Sequence, residues 1–182
     1  MFPARPCLLA LGLLFLATAC DRFRSGGSGP PGPAPFGPAP TFDYPPGGSG
    51  CSDIHLYLAN RDQSEVLVIW AESEKLGIKE GLNTFDLDTA SKVLSVTVNL
   101  YPRPQKHLRQ CQDFTDPESG EPVVWTGVRG KVTVERFPND RAAAGRKHTF
   151  RARATIEGLE FRDPMGRSAK CPNAITLEAT VG

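Results

Sequence analysis

The chain has 182 residues, and its 21 Lys and Arg against 20 Asp and Glu give a formal net charge of +1. From Cys51 onward the balance is even, with 18 basic and 18 acidic residues. A nucleic-acid-binding domain would normally be clearly basic, so this class is excluded. Residues 51–182 are long enough to bury a core of their own and predict a single folded domain.

Residues 1–19 have the layout of a signal peptide. Arg5 supplies a positive charge, an apolar run follows from Cys7 to Ala17, and small residues come directly before Cys20. A membrane-spanning helix needs about 20 apolar residues, and this run is much shorter. The segment therefore predicts a leader that is removed during export.

The end of the leader resembles the lipobox of bacterial lipoprotein precursors, in which an apolar and small-residue triplet precedes an acylated cysteine. Here the triplet is Ala17-Thr18-Ala19 and the cysteine is Cys20, while Leu16 stands one place earlier than in the commonest pattern. The resemblance covers the first twenty residues. It implies that Cys20 carries palmitate-like acyl chains, which bind a membrane at about 0.8 kcal/mol per buried methylene.

That modification would place the protein in the bacterial cell envelope, at either the inner or the outer membrane. The alternative is an ordinary small-residue cleavage site after Ala19, which would release a secreted, soluble protein. Both interpretations share export, and they differ in whether Cys20 is an anchor.

Residues 20–50 predict a tether. Within 25–50, Gly and Pro together occupy 16 of 26 positions, which leaves too little apolar content to offset the entropy of ordering. Such a segment reaches between about 28 Å as a coil and about 80 Å when extended. The expectation is a disordered spacer that holds the domain 51–182 away from the membrane.

The domain itself shows short apolar stretches of period two separated by turn residues, the pattern of β-strands. The predicted strands are Asp53–Ala59, Glu65–Ala71, Thr84–Leu87, Val93–Tyr101, Val123–Phe137, Phe150–Phe161 and Ile175–Val181. The best helical candidate, Glu72–Ile78, is only about two turns long and is interrupted by Gly77. The sequence predicts an all-β, antiparallel β-sandwich of about seven to eight strands, with a small β-barrel as the alternative.

The two longest predicted strands carry signs of bulges. In Val123–Phe137, Gly127 or Gly130 marks a bend or bulge. In Phe150–Phe161 the inward positions change parity, which places another bulge at Glu157–Gly158. The inward side chains are expected to be Val124, Val128, Val132 and Val134 in the first strand, and Phe150, Ala152, Ala154, Ile156, Leu159 and Phe161 in the second.

An exported protein meets an oxidising compartment, so its cysteines suggest disulfides. The favoured pair is Cys51 with Cys111, and Cys171 is the alternative partner. Loop-closure entropy does not separate Cys51–Cys111 from Cys111–Cys171, since the two loops have equal length and either bond would contribute roughly 4 kcal/mol. If Cys20 is acylated, one of the three remains without an intramolecular disulfide partner.

No recognised catalytic motif is present, so no catalytic residue, metal or cofactor is predicted. His55, His107 and His148 are far apart and suggest solvated surface side chains. Trp70 and Trp125 lie in apolar strands and are expected in the core.

Two charged clusters are candidates for a binding site. The acids Asp113, Asp116, Glu118 and Glu121 fall in loop 111–121, but their spacing matches no calcium-binding signature, and a solvated turn is the simpler interpretation. A basic segment follows at Arg146, Lys147, Arg151 and Arg153. Alternation aligns Arg151 and Arg153 on one outward face, where Glu135 or Glu178 on a neighbouring strand is expected to balance them.

The favoured function is a non-enzymatic envelope lipoprotein. Its domain would bind an envelope protein or glycan, or serve a structural role, and its lipid would bind the membrane. The alternative is a glycan-binding module or an enzyme with a site built from loop residues 111–121.

Overall fold

The computed structural model describes residues 37–51, 53–90, 92–106, 116–138 and 150–181. These residues form one antiparallel sheet of nine strands, so the all-β prediction is confirmed. The strands are β1 Ser49–Cys51, β2 Ile54–Ala59, β3 Glu65–Ala71, β4 Gly81–Asp86, β5 Leu94–Leu100, β6 Val123–Arg136, β7 Phe150–Arg162, β8 Ser168–Lys170 and β9 Ile175–Val181. The expected seven to eight strands omitted β1 and β8, which are too short to show alternation.

Three short helices complete the described part of the chain. They are α1 Ser73–Leu76, α2 Leu87–Ala90 and a 3₁₀ turn at Pro117–Ser119. Gly77 ends α1 with a left-handed φ of 66°, as expected for a helix C-terminus. No helix among the described residues is long and apolar enough to cross a membrane.

The long strands β6 and β7 are the centre of the sheet. The main order is β1-β2-β3-β5-β6-β7-β8, while β4 pairs with β6 and β9 with β7. Along β6, residues 123–126 pair with β5 and residues 131–136 with β4. Along β7, residues 150–156 pair with β9 and residues 160–162 with β8. The choice between a sandwich and a small barrel stays a prediction.

The predicted bulges are confirmed. The pairing of β6 with β7 shifts register between Gly127 and Arg129 and again between Arg129 and Lys131. Gly130 has φ 133°, and a Cβ there would lie 2.3 Å from Leu159 Cδ2. Glycine is therefore needed at this crossing, where any side chain would collide with β7.

The bulge also changes which side chains of β6 face the core. Trp125 is buried before the bulge, and Val132 and Val134 are buried after it. Val124 and Val128 are only half-buried, so their assignment to the inner face is wrong. The physical reason is that one extra residue reverses the alternation of every position on one side of it.

A single large cluster of buried side chains forms the core. It includes Leu56 of β2, Ile69 of β3, Val96 of β5, Ile156 of β7 and Leu177 of β9. The first strand packs very closely on the last: a Cβ at Gly50 would lie 2.6 Å from Val181 Cγ1.

The predicted tether needs correction at its C-terminal end. Residues 37–48, which we call the strap, pack against the sheet and lead into β1. Phe42 of the strap stacks on buried Phe161 with 5.4 Å between ring centroids, and strap groups bond to the buried carboxylate of Glu65. The prediction of disorder through Gly50 is wrong here because composition does not reveal a buried acceptor elsewhere in the chain. Residues 1–36, including the leader and Cys20, lie outside the described residues.

Candidate functional site

A concave cleft lies beside the turn that joins β7 to β8. Its volume is about 320 Å³, and it is lined by Gly37 of the strap, residues 122–124, Asp163, Pro164, Met165 and Arg167. Most of these residues are apolar. Met165, one of the lining residues, is 59% exposed.

The turn that carries Met165 is built around Asp163. Its carboxylate Oδ1 accepts the backbone N–H of Met165 at 3.0 Å and of Arg167 at 2.8 Å. Its Oδ2 accepts Nε of Arg167 at 2.6 Å. A short polar side chain that bonds to nearby backbone N–H groups rigidifies a turn, so the rim of the cleft is preformed.

Arg167 links this turn to two other parts of the fold. One terminal nitrogen donates to the carbonyl of Gly37 at 3.0 Å. The guanidinium carbon also lies 5.2 Å from the ring centroid of Trp125, within the range of a cation–π contact. The cleft thus depends on three segments that are remote in sequence.

Burial of Asp163 by itself would raise its pKa, but the bonds and charge of Arg167, with the Met165 N–H, lower it overall. A carboxyl group whose pKa is depressed on folding stabilises the folded state above its unfolded pKa of about 3.9, and this contribution disappears as pH falls through the folded-state pKa. We expect Asp163→Asn to lower the urea midpoint most at pH 7 and progressively less towards pH 3. A difference that does not narrow in acid would contradict this assignment.

In the described part of the acidic loop, residues 116–121, the side chains of Asp116 and Glu118 take part in local hydrogen bonds and an ion pair. Asp116 accepts the N–H of Glu118 at 3.0 Å and of Lys106 at 3.2 Å. Glu118 forms an ion pair with Lys106, and Glu121 is exposed. Asp113 and Cys111 lie outside the described residues. No group of three or more potential metal-binding side chains occurs in the described ranges.

Known proteins add nothing to this geometry. The chain matches no protein-family model, no curated protein and no solved structure. The function of the chain must therefore be inferred from its own residues.

The basic stripe is balanced, as expected. Arg153 donates to Glu178 at 2.8 and 2.9 Å and to Glu135 at 3.1 Å. Arg151 pairs with Glu178 at 3.3 Å, and both guanidinium groups lie over the ring of Phe137. Arg151 and Arg153 are therefore neutralised by carboxylates of neighbouring strands. Arg146 and Lys147 lie outside the described residues.

The histidines do not form a site in the described part of the chain. His55 faces outward from β2, half-buried, with its ring 6.4 Å from that of Tyr57. His107 and His148 lie outside the described residues. Trp125 is buried in the core, as predicted, whereas Trp70 is half-buried on the opposite face of its sheet. The two indoles therefore lie on opposite faces of the sheet, and the prediction of a core position is wrong for Trp70.

The described cysteines, Cys51 and Cys171, are both buried, and no disulfide bond joins described residues. The thiol of Cys171 donates to the carbonyl of Asn173 at 3.0 Å. Burial raises the pKa of this thiol, with a further increase from the charge of Glu65, although the Asn173 contact acts in the other direction. Cys111 lies outside the described residues, so the Cys51–Cys111 pairing stays a prediction.

The sequence interpretation missed both Asp163 and Glu65. One signal for Glu65 was available: it has the same parity as Leu67 and Ile69 on the inward face of β3. A charged residue at an inward position needs partners, because an unpaired buried charge is costly. Asp163 begins the turn Asp-Pro-Met-Gly-Arg, in which Gly166 has φ 83°. The Pro and Gly of this segment indicate a turn, but they do not indicate a binding site.

Proposed function

We propose that this protein is a lipid-anchored component of the bacterial envelope whose β-domain binds a partner without catalysing a reaction. The leader and Cys20 support the anchor, through their resemblance to a lipobox. The cleft beside Met165 is the observation that carries the binding role. Because the folded part begins by Gly37, the tether in this proposal comprises residues 20–36.

The cleft has the properties of a site for an apolar group. Small-ligand and side-chain pockets are typically concave, mainly apolar and of roughly 300–1,000 Å³, and this cleft falls at the lower end of that range. Methionine adapts its shape to different apolar partners and is common at such surfaces. Met165 can therefore close over an inserted side chain.

The chemistry of the lining favours a peptide over a glycan. Pro122, Val123, Pro164 and Met165 offer apolar contact, and the lining residues that the structure describes include no aromatic ring. The charged groups at the cleft, Asp163 and Arg167, are bonded to each other. We therefore propose that the partner is an envelope protein that inserts one apolar side chain.

Site-specific photo-crosslinking in cells that express the full chain tests the binding role. A benzophenone amino acid in place of Met165 should give a discrete adduct, because this position lies at the rim of the cleft. The matched control is Leu82, which is also exposed and apolar, at 74%, but lies on β4 at the opposite end of β6. Equal adducts at both positions, or none at Met165, would contradict the proposed site.

The anchor is tested in the same cells. Metabolic labelling with a fatty-acid analogue, followed by intact-mass measurement, should show acyl chains on Cys20 and none in Cys20→Ser. A soluble, unmodified product that starts at Cys20 would disprove the lipoprotein proposal and leave the crosslinking result to stand alone.

A further inference from the structure

One buried side chain holds the strap against the sheet. Glu65 begins β3, points to the core face and is 2% exposed. Its carboxylate accepts four hydrogen bonds from three strap residues. The donors are Thr41 N at 2.7 Å, Thr41 Oγ1 at 2.8 Å, Phe42 N at 2.9 Å and Tyr44 Oη at 2.7 Å.

The strap has little sheet pairing of its own in the described structure. Residues 37–46 belong to no strand, and the next residue, Gly47, makes a single bridge to Leu177 of β9. Phe42 has φ 57°, a left-handed conformation that is strained for a bulky residue. Because the four bonds end on one carboxylate, a change at Glu65 affects all of them.

The carboxylate of Glu65 also acts on two other titratable groups, Tyr44 of the strap and Cys171. Burial raises the pKa of Tyr44, and the charge and hydrogen bond of Glu65 raise it further, so the phenol stays protonated and donates. The charge of Glu65 also acts on the buried thiol of Cys171. Phe42 and Tyr44 of the strap pack against the core cluster that contains Cys171.

We propose that the strap is a releasable latch, which opens while the sheet stays folded and has Glu65 as its catch. Segments that are held by few sheet hydrogen bonds can open locally at lower free energy than the whole domain. Opening would withdraw Gly37 from the Arg167 bond and from the cleft, and it would remove Phe42 and Tyr44 from the core cluster that contains Cys171. Release of the strap at the N-terminal end of the domain would therefore change the candidate binding site.

Native-state hydrogen exchange of the full chain at low urea concentrations tests the latch. The amides of Thr41 and Phe42 should exchange faster than those of Ala152 and Ala154 in β7. Their rates should also depend little on urea, since local opening exposes little surface. If Thr41 and Phe42 exchange with the urea dependence of global unfolding, the strap is a permanent part of the core and the proposal is overturned.

The variant Glu65→Gln provides a second test of the latch. A glutamine has one acceptor oxygen and presents an NH₂ group where two donors now point, so the four bonds cannot all form. We expect exchange at Thr41 and Phe42 to accelerate about tenfold or more, with a parallel rise in alkylation of Cys171 measured by peptide mass spectrometry. The control Glu118→Gln removes an exposed carboxylate and should change neither rate.

Unchanged protection in folded Glu65→Gln would also overturn the latch. If this variant does not fold, the urea dependence of the unmodified chain decides by itself. Neither measurement depends on Cys20 or on a partner, so the latch and the proposed function can fail separately.

Discussion

Replacement of Gly130 by alanine is expected to lower the free energy of unfolding by about 3–5 kcal/mol, the sum of backbone strain and overpacking. Gly130 has φ 133°, a backbone conformation that residues with a side chain rarely adopt. Its added Cβ would lie 2.3 Å from Leu159 Cδ2 and 3.0 Å from the carbonyl oxygen of Glu157. The side chain of Leu159 can move, but the backbone of β7 cannot do so without breaking the pairing at the bulge.

Gly158→Ala is the matched control for this prediction. Gly158 lies in the facing bulge of β7 with φ 60°, and a Cβ there meets no atom within 4 Å. It should therefore cost only the left-handed strain of about 1–2 kcal/mol. Urea denaturation of both variants measures the difference. Equal losses would show that conformational strain alone, and not the close approach of β6 to β7, requires glycine at position 130.

Phe161→Ala should destabilise the domain by about 3–5 kcal/mol, the usual range for a buried phenylalanine. Phe161 is fully buried in the main core and also stacks on Phe42 of the strap. Its removal leaves a cavity at the place where the strap meets the sheet. Equilibrium denaturation in urea measures the loss.

A double-mutant cycle separates the strap contact from the rest of the core. Phe42 is half-buried, so Phe42→Ala should cost about 1–2 kcal/mol. The coupling between the two rings should be about 0.5–1.5 kcal/mol, as for other tilted aromatic pairs. Additive losses would mean that the stacking does not help to hold the strap.

Strand positions were predictable because burial on one face leaves a period-two pattern. β5 alternates throughout, with Leu94, Val96, Val98 and Leu100 inward. The bulge of β7 was also visible, since Leu159 and Phe161 fall on the opposite parity from Ile156. The inward face of β6 was not predictable in its first half. Alternation assigned Val124 and Val128 to the inner face, although Trp125 between them was itself expected in the core.

The candidate site was not predictable for a different reason. The cleft combines Gly37, residues 122–124 and the turn at 163–167, which lie up to 130 positions apart. Local patterns indicate which face of a strand is buried, but they do not indicate which loops meet. The acidic loop illustrates the converse, because clustered acids at Asp116 and Glu118 proved to bond to their own turn and to Lys106.

The antiparallel all-β architecture, the approximate places of seven strands and the bulges in the two longest ones were predictable from the sequence, although β4 spans Gly81–Asp86 and not Thr84–Leu87, since Leu87 begins α2. These features follow from alternation and from glycine, which act between neighbouring residues. That residues 37–48 join the domain is seen in the three-dimensional structure alone. Thr41, Phe42 and Tyr44 donate hydrogen bonds to Glu65, which lies more than twenty positions away in the sequence. Gly and Pro content measures a segment's own tendency to order, whereas a buried carboxylate elsewhere in the chain supplies the free energy that overrides it.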